Sequence, residues 1–382
     1  MSRVIDESVL DDGAALAAGD PGEMLRAVAS AGAQVREAVL RTGEAELAGV
    51  VADGRPRAVV VSGMGGSGIS ADTVAAVTGQ SCPVPVVPHR GYRLPGWVGG
   101  LDLVVAVSCS GRTEETLAVA DEALRRGCRL VTVSAEGSPL SQRAQGQRAV
   151  SLNVDAGGRM PRANFWALSV PVLRLADALG LTSVPVAVLE DLADELDRLS
   201  VACAPASETY ANPAKQLALE LAGSLPCLWG TSDLAAVAAY RFACQLAENA
   251  KYPALYGALP EVHHNQVVAL AGAFGTRAPA DEGDIFRDRI EAAPVWPRLR
   301  LVLLRDAVEE PQVARRREAT SPLADECGVP VSELAATGEH PVTRLAGLIA
   351  PADFASVYLA LLQGLDPTPI EPIVRLKERI TR

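Results

Sequence analysis

The sequence predicts an α/β fold in two related halves, each a parallel sheet flanked by helices. Three observations predict it. Apolar runs of four or five residues, at 59–62, 84–87, 103–107, 130–133 and 150–154, alternate with segments of helical periodicity. These runs carry few polar residues, as strands covered on both faces do. The same layout then starts again, with a strand at 225–229, a small polar turn at 230–233 and a long helix at 234–250.

The 382 residues suffice for two domains and a sizeable core. Apolar residues make up 49% and charged residues 21%, the balance of a soluble globular chain. A net charge of −11 argues against nucleic acid as a general partner and leaves room for a local basic pocket that takes a small anion. The seven cysteines are scattered, with no CxxC pair and no Cys/His cluster, so neither a disulfide framework nor a structural zinc is expected and no metal is assigned. Free thiols suggest a reducing, cytoplasmic location. The acidic N-terminus lacks a signal-peptide pattern, and no apolar run approaches the ~18 residues of a membrane span, so no membrane is expected.

In order along the chain, residues 1–50 read as helices that pack on the first domain. Asp20 and Pro21 start one, and Met24, Val28, Ala31, Val35 and Val39 form its apolar face. Domain one is read as 51–190. Its glycine loop opens a helix continuing over 71–78, and 164–179 reads as its last helix. A charged amphipathic helix at 188–199 leads to domain two, read as 191–365. There 298–304 and 329–334 read as strands, and 309–320 and 353–365 as helices. A C-terminal helix at 370–380 lies within a final segment, 366–382.

Chemistry concentrates in the loops that follow strands, where open parallel sheets bind ligands. After 103–107 the chain turns through Ser108, Cys109, Ser110, Gly111, Arg112 and Thr113 into a helix whose apolar residues include Leu117, Val119, Ala120 and Leu124. Hydroxyls beside the unpaired N–H groups of a helix start suit a phosphate monoester. A hydroxyl-rich cap without a ligand is the alternative. After 59–62, Gly63-Met64-Gly65-Gly66-Ser67-Gly68 satisfies GxGxxG. A dinucleotide site also wants an acid after the second strand, and that strand ends in Pro88-His89-Arg90. A close-approach turn that frees Ser67 for a sugar or phosphate is the better reading, with a tight turn alone as its alternative.

Pro161-Arg162 presents an arginine suited to an oxyanion or enediolate, whereas Arg159 reads as a surface residue. Glu248 ends a helix, where the dipole raises a carboxyl towards the pKa of a general base. A solvated helix-end glutamate is the plain alternative. Two of only four histidines, His263 and His264, share one loop. Adjacent histidines point apart and suit acid–base work at one of them better than a shared metal. Lys377 sits in a basic C-terminal helix, ordinarily a solvated face.

Taken together, these motifs make the chain resemble the sugar isomerase (SIS) domain family, and within it the bifunctional phosphoglucose/phosphomannose isomerases. The resemblance spans nearly the whole chain. It implies two flavodoxin-like SIS domains. The family's GGS turn looks like Gly65-Gly66-Ser67, its SxSGxTEET phosphate loop like Ser108, Ser110 and Thr113, and its PR pair like Pro161-Arg162. Its ENAK glutamate, the enediol base, matches Glu248. Its HN histidine, which opens the sugar ring, matches His264, and its C-terminal lysine is similar in place to Lys377. Cys109 and Arg112 stand where the family commonly has tyrosine and asparagine, and Asn164-Phe165-Trp166 where it has small residues.

The implied activity is aldose–ketose isomerisation of fructose 6-phosphate with glucose 6-phosphate, mannose 6-phosphate or both, by a cis-enediolate. The implied partner is a small-molecule sugar phosphate, and no cofactor is implied. A homodimer is also implied, with His264 reaching the site from the partner subunit. The alternatives are a phosphosugar-binding SIS regulator without catalysis and an isomerase of another sugar phosphate.

Overall fold

The computed structural model describes residues 6–145, 149–275 and 297–380. Short helices come first: α1 (Gly13–Gly19), α2 (Met24–Ala29), α3 (Ala31–Arg41) and α4 (Glu44–Val51). The apolar face expected over 24–39 is therefore carried by two helices, which part at Ser30. Five parallel strands follow, β1 (Val59–Ser62), β2 (Val86–His89), β3 (Leu103–Ser108), β4 (Arg129–Ala135) and β5 (Ala149–Val154), in the order β2-β1-β3-β4-β5. That is the flavodoxin order. Helices α5 (Gly66–Thr78), α6 (Glu114–Arg125), α7 (Pro139–Arg143) and α8 (Phe165–Ala178) flank it, and α9 (Val186–Ala202) follows.

The second sheet is preceded by α10 (Pro213–Leu221). It comprises β6 (Ser224–Gly230), β7 (Leu255–Ala258), β8 (Arg298–Arg305) and β9 (Val331–Ala335), all parallel, ordered β7-β6-β8-β9. Its helices are α11 (Asp233–Asn249), α12 (Pro311–Glu326), α13 (Pro341–Leu362) and α14 (Glu371–Ile380). Within the described residues the chain groups into two units. One comprises 26–201 with 340–346. The other comprises residues up to 25, 202–339 and 347 onward.

β1 and β3 read as predicted because they are wholly buried, and a strand covered on both faces excludes polar side chains; half-buried β2 begins two residues later than expected, and β7 was not expected. In the first unit Val60, Val104 and Ala106 pack on Val119, Ala120 and Ala123 of α6. In the second, Trp229, Leu301 and Leu303 pack on Leu259, Val262 and Ala324. The expected helix boundaries at 320 and 353 shift outward, to Glu326 and Pro341, because α12 and α13 run through Pro322 and Pro351. Proline removes one hydrogen bond but does not force a helix to end when burial holds both sides. α13 is long and apolar enough to cross a membrane by length and composition, and its apolar window is buried within the protein.

A buried ion pair locks the second unit. Arg241 on α11 meets Asp353 on α13 at 2.7 Å, with both side chains nearly out of solvent. Burial pushes the Asp353 carboxyl up, while Arg241 and Gln245 pull it down. About two turns further along α11 and one along α13, Asn249 donates to Ser356 Oγ at 2.9 Å. Arg241→Met strands a buried carboxylate and should cost about 3–5 kcal/mol, whereas the double change with Asp353→Leu should recover much of it. Denaturant unfolding of the single and double variants checks this.

Candidate active site

The order of the first sheet reverses between β1 and β3, and ligands in such sheets bind beyond the carboxyl ends of the strands at that reversal. Both hydroxyl-bearing loops leave from these two strands. The turn after β1 requires glycine. A Cβ on Gly63 would lie 2.8 Å from Ser67 O and 2.9 Å from Val107 O, and Gly65 has φ +53°. Ser67 then starts α5 with its Oγ accepting from Cys109 N–H at 3.4 Å, so the two loops meet. Ser108 Oγ and Thr113 Oγ1 lie 2.9 Å apart, and Ser110 Oγ accepts from Arg112 N–H at 3.3 Å. Thr113 precedes α6 without a side-chain cap bond.

The Pro161-Arg162 turn joins them. It is a short 3-10 turn, Pro161–Ala163, and a Cβ on Gly66 would lie 3.6 Å from Pro161 O and 3.7 Å from Arg162 Cα. Arg162 is 3% exposed. The structure thus brings Gly65, Gly66, Ser67, Ser108, Ser110, Thr113, Pro161 and Arg162 to one end of the first sheet. Arg159, expected at the surface, is half-buried. Its Nε donates to Asn164 Oδ1 at 2.9 Å, and its charge reaches Cys109. Burial pushes the Cys109 thiol up, against Arg159 and a bond from Asn164 that pull it down. Phe165 and Trp166 are 2% and 3% exposed and pack edge to face in the core. Arg112 is exposed.

Sequence reasoning missed the residues that hold this corner in place. Buried Gln34 on α3 donates to Ala163 O at 2.7 Å and accepts from Ala167 N–H at 3.4 Å, serving the open N–H groups of α8. Ser169 Oγ donates to Ser70 Oγ at 3.0 Å, joining α8 to α5. These partners lie 129, 133 and 99 residues apart in sequence, so no local signal marks them.

The second sheet has the same reversal, between β6 and β8, but its crevice is filled from within. Ser232, which caps α11, donates its hydroxyl to Asp306 Oδ2 at 2.7 Å, and Asp306 N–H returns to Thr231 Oγ1 at 3.0 Å. The 3% exposed Asp306 puts a carboxylate where the first sheet presents hydroxyls.

Glu248 sits half-buried in the last turn of α11. That turn lies by the start of β6, because Tyr252 Oη donates to Leu221 O at 3.1 Å and to Ser224 O. His264 is exposed and lies by the other end of β6, in the 3-10 turn Glu261–His264 that follows β7. This turn is held by buried Val262, by His263 packed edge-on against Trp229, and by a 3.0 Å bond from His263 Nε2 to Thr320 Oγ1. Burial holds the His263 imidazole below its ordinary range, and Arg316 adds to this. With the end of α11 by the start of β6 and the 261–264 turn following the parallel strand β7, Glu248 and His264 of one chain lie toward opposite ends of the second sheet. Lys377 lies on α14, exposed throughout. Among the described residues no three His, Cys, Asp or Glu side chains gather as a metal site would need.

Gln34→Ala should lower stability by about 1–3 kcal/mol through its unsatisfied partners. Thermal unfolding checks this, and a loss below that range would show the corner to be held by other contacts.

Residues 210–380 match the family described as bacterial phospho-glucose isomerase C-terminal SIS domain. The bifunctional phosphoglucose/phosphomannose isomerase of Caldicellulosiruptor bescii is 30% identical over 84% of this chain and 89% of its own length. That of Aquifex aeolicus is 29% identical over 85% and 91%. The D-glucosamine-6-phosphate 4-epimerase of Sulfolobus acidocaldarius is 28% identical over 63% and 75%. The C-terminal domain of glucosamine-fructose-6-phosphate aminotransferase from Francisella tularensis superposes with a TM-score of 0.65, at 13% identity over 91% of this chain and 98% of that one, which shows a shared fold. With the flavodoxin order of the first sheet and a full-length relative at this identity, the chain belongs to the bifunctional phosphoglucose/phosphomannose isomerase family.

Proposed function

We propose that this chain is an aldose–ketose isomerase that interconverts fructose 6-phosphate with glucose 6-phosphate, mannose 6-phosphate or both. The observation that carries the reading is the meeting of two hydroxyl-bearing loops and buried Arg162 at the reversal of the first sheet. The printed names of the relatives support it. Ser67, Ser108, Ser110 and Thr113 hold the phosphate, with Gly65, Gly66 and Pro161 shaping the cradle. His264 moves the ring proton so that the sugar opens. Glu248 takes the proton from C2 and returns it to C1, while a proton passes from the C2 hydroxyl to the C1 oxygen. Arg162 carries the negative charge of the cis-enediolate, and Lys377 assists ring opening or phosphate contact. Every step is a proton transfer, chemistry that proceeds without a redox cofactor or metal.

The working unit in this reading is a homodimer, and His264 serves the partner subunit's site. The placement of Glu248 by the start of β6 and of His264 by its other end supports this. Seven cysteines that form no disulfide support a cytoplasmic setting. A second reading, an isomerase of another sugar phosphate, draws on the 4-epimerase relative and on Cys109 and Arg112 in the phosphate loop. Faster turnover of glucosamine 6-phosphate than of fructose 6-phosphate would favour it.

Glu248→Gln should lower kcat by about 10²–10⁴-fold while binding of fructose 6-phosphate persists, whereas Ser108→Ala should act mainly on KM. Retention of near-full activity by Glu248→Gln would remove it as the base. Mixing inactive Glu248→Gln with inactive His264→Ala tests the partner reading. Half the dimers are mixed and each holds one intact site, so about a quarter of the wild-type rate should return. No return would place both residues in one subunit's site.

A further inference from the structure

The helix that carries Glu248 ends in an unusual way. α11 stops at Asn249, and Lys251 then takes a left-handed backbone, φ +54°. Glycine usually fills that position after a helix, and a lysine there carries strain that glycine would not. The lysine side chain turns back onto the helix end. Nζ donates to Glu248 O at 3.0 Å and to Asn249 O at 3.1 Å. It also donates to Asp366 O and Pro367 O, both at 3.1 Å, in the segment just before α14. The last carbonyls of a helix lack partners and concentrate partial negative charge, so a cation is favoured there. Four carbonyl oxygens around one ammonium make a cage of the kind that holds a monovalent cation.

We propose that Lys251 is a positioning residue, a tethered cation that ties the turn bearing Glu248 to the segment leading into the helix bearing Lys377. The inference rests on the reading of Glu248 as the base. Without the ammonium, the last turn of α11 and the 366–367 segment lose their common anchor, and the carboxylate loses its fixed place.

The test is Lys251→Gly, because glycine suits φ +54° and removes the ammonium without adding strain. With folding verified by circular dichroism, kcat on fructose 6-phosphate should fall about 10²-fold, the scale of a misplaced catalytic group, with KM unchanged. Ammonium or methylammonium chloride should restore part of the rate, and should raise the unfolding temperature of the variant but not of the wild type. Sodium chloride at equal ionic strength should do neither. An unchanged kcat, an effect on KM alone, or no difference between ammonium and sodium overturns the proposal. Should the wild type itself not turn over fructose 6-phosphate, the reading of the reaction fails. The ammonium-specific rise in unfolding temperature then decides the cation cage separately.

Discussion

All strands in both sheets run parallel to their neighbours, so each must be left and re-entered through a crossover that travels the length of the sheet. That constraint sorts the chain's chemistry by position. Loops after strands collect at one end, and the last turns of the crossover helices collect at the other. Ser67 and Ser108 become neighbours despite lying on different crossovers, because both follow adjacent strands. Glu248 and His264 fall toward opposite ends of their sheet despite a short separation in sequence, because β7 runs between them.

The two sheets use their reversal points differently. In the first, glycine lets the turn approach Val107, and hydroxyls meet one another there without an acid among them. In the second, Asp306 and Ser232 satisfy each other in the equivalent place. A crevice already filled by its own carboxylate offers little to a phosphate. The second unit carries Glu248 on a helix fixed by the Arg241–Asp353 pair and the Asn249–Ser356 bond.

Much of this was legible in the letters. Strands buried on both faces announce themselves as apolar runs, and Ser67, Ser108, Ser110, Thr113 and Arg162 fell in segments the sheet order brings together, whereas Glu248 and Lys377 lie on helices. What was not legible has physical causes. β7 is four residues with a glycine and two exposed side chains, a pattern shared with ordinary loops. Proline misled at 322 and 351, where packing outweighs one lost hydrogen bond. Gln34 and Ser169 gain their roles from partners that only the tertiary fold supplies, and Lys251 from a backbone conformation that its residue type disfavours.

The central claim is proton transfer through an enediolate, and isotope exchange reads it directly. Proton NMR of the wild-type protein with fructose 6-phosphate in D₂O should show glucose 6-phosphate, mannose 6-phosphate or both, carrying deuterium at C2. The ratio of epimers would identify the preferred aldose. Aldose formed with no deuterium at C2 would contradict exchange at the enediolate. No aldose, together with a thermal shift on adding sugar phosphate, would contradict catalysis itself and leave a phosphosugar-binding protein.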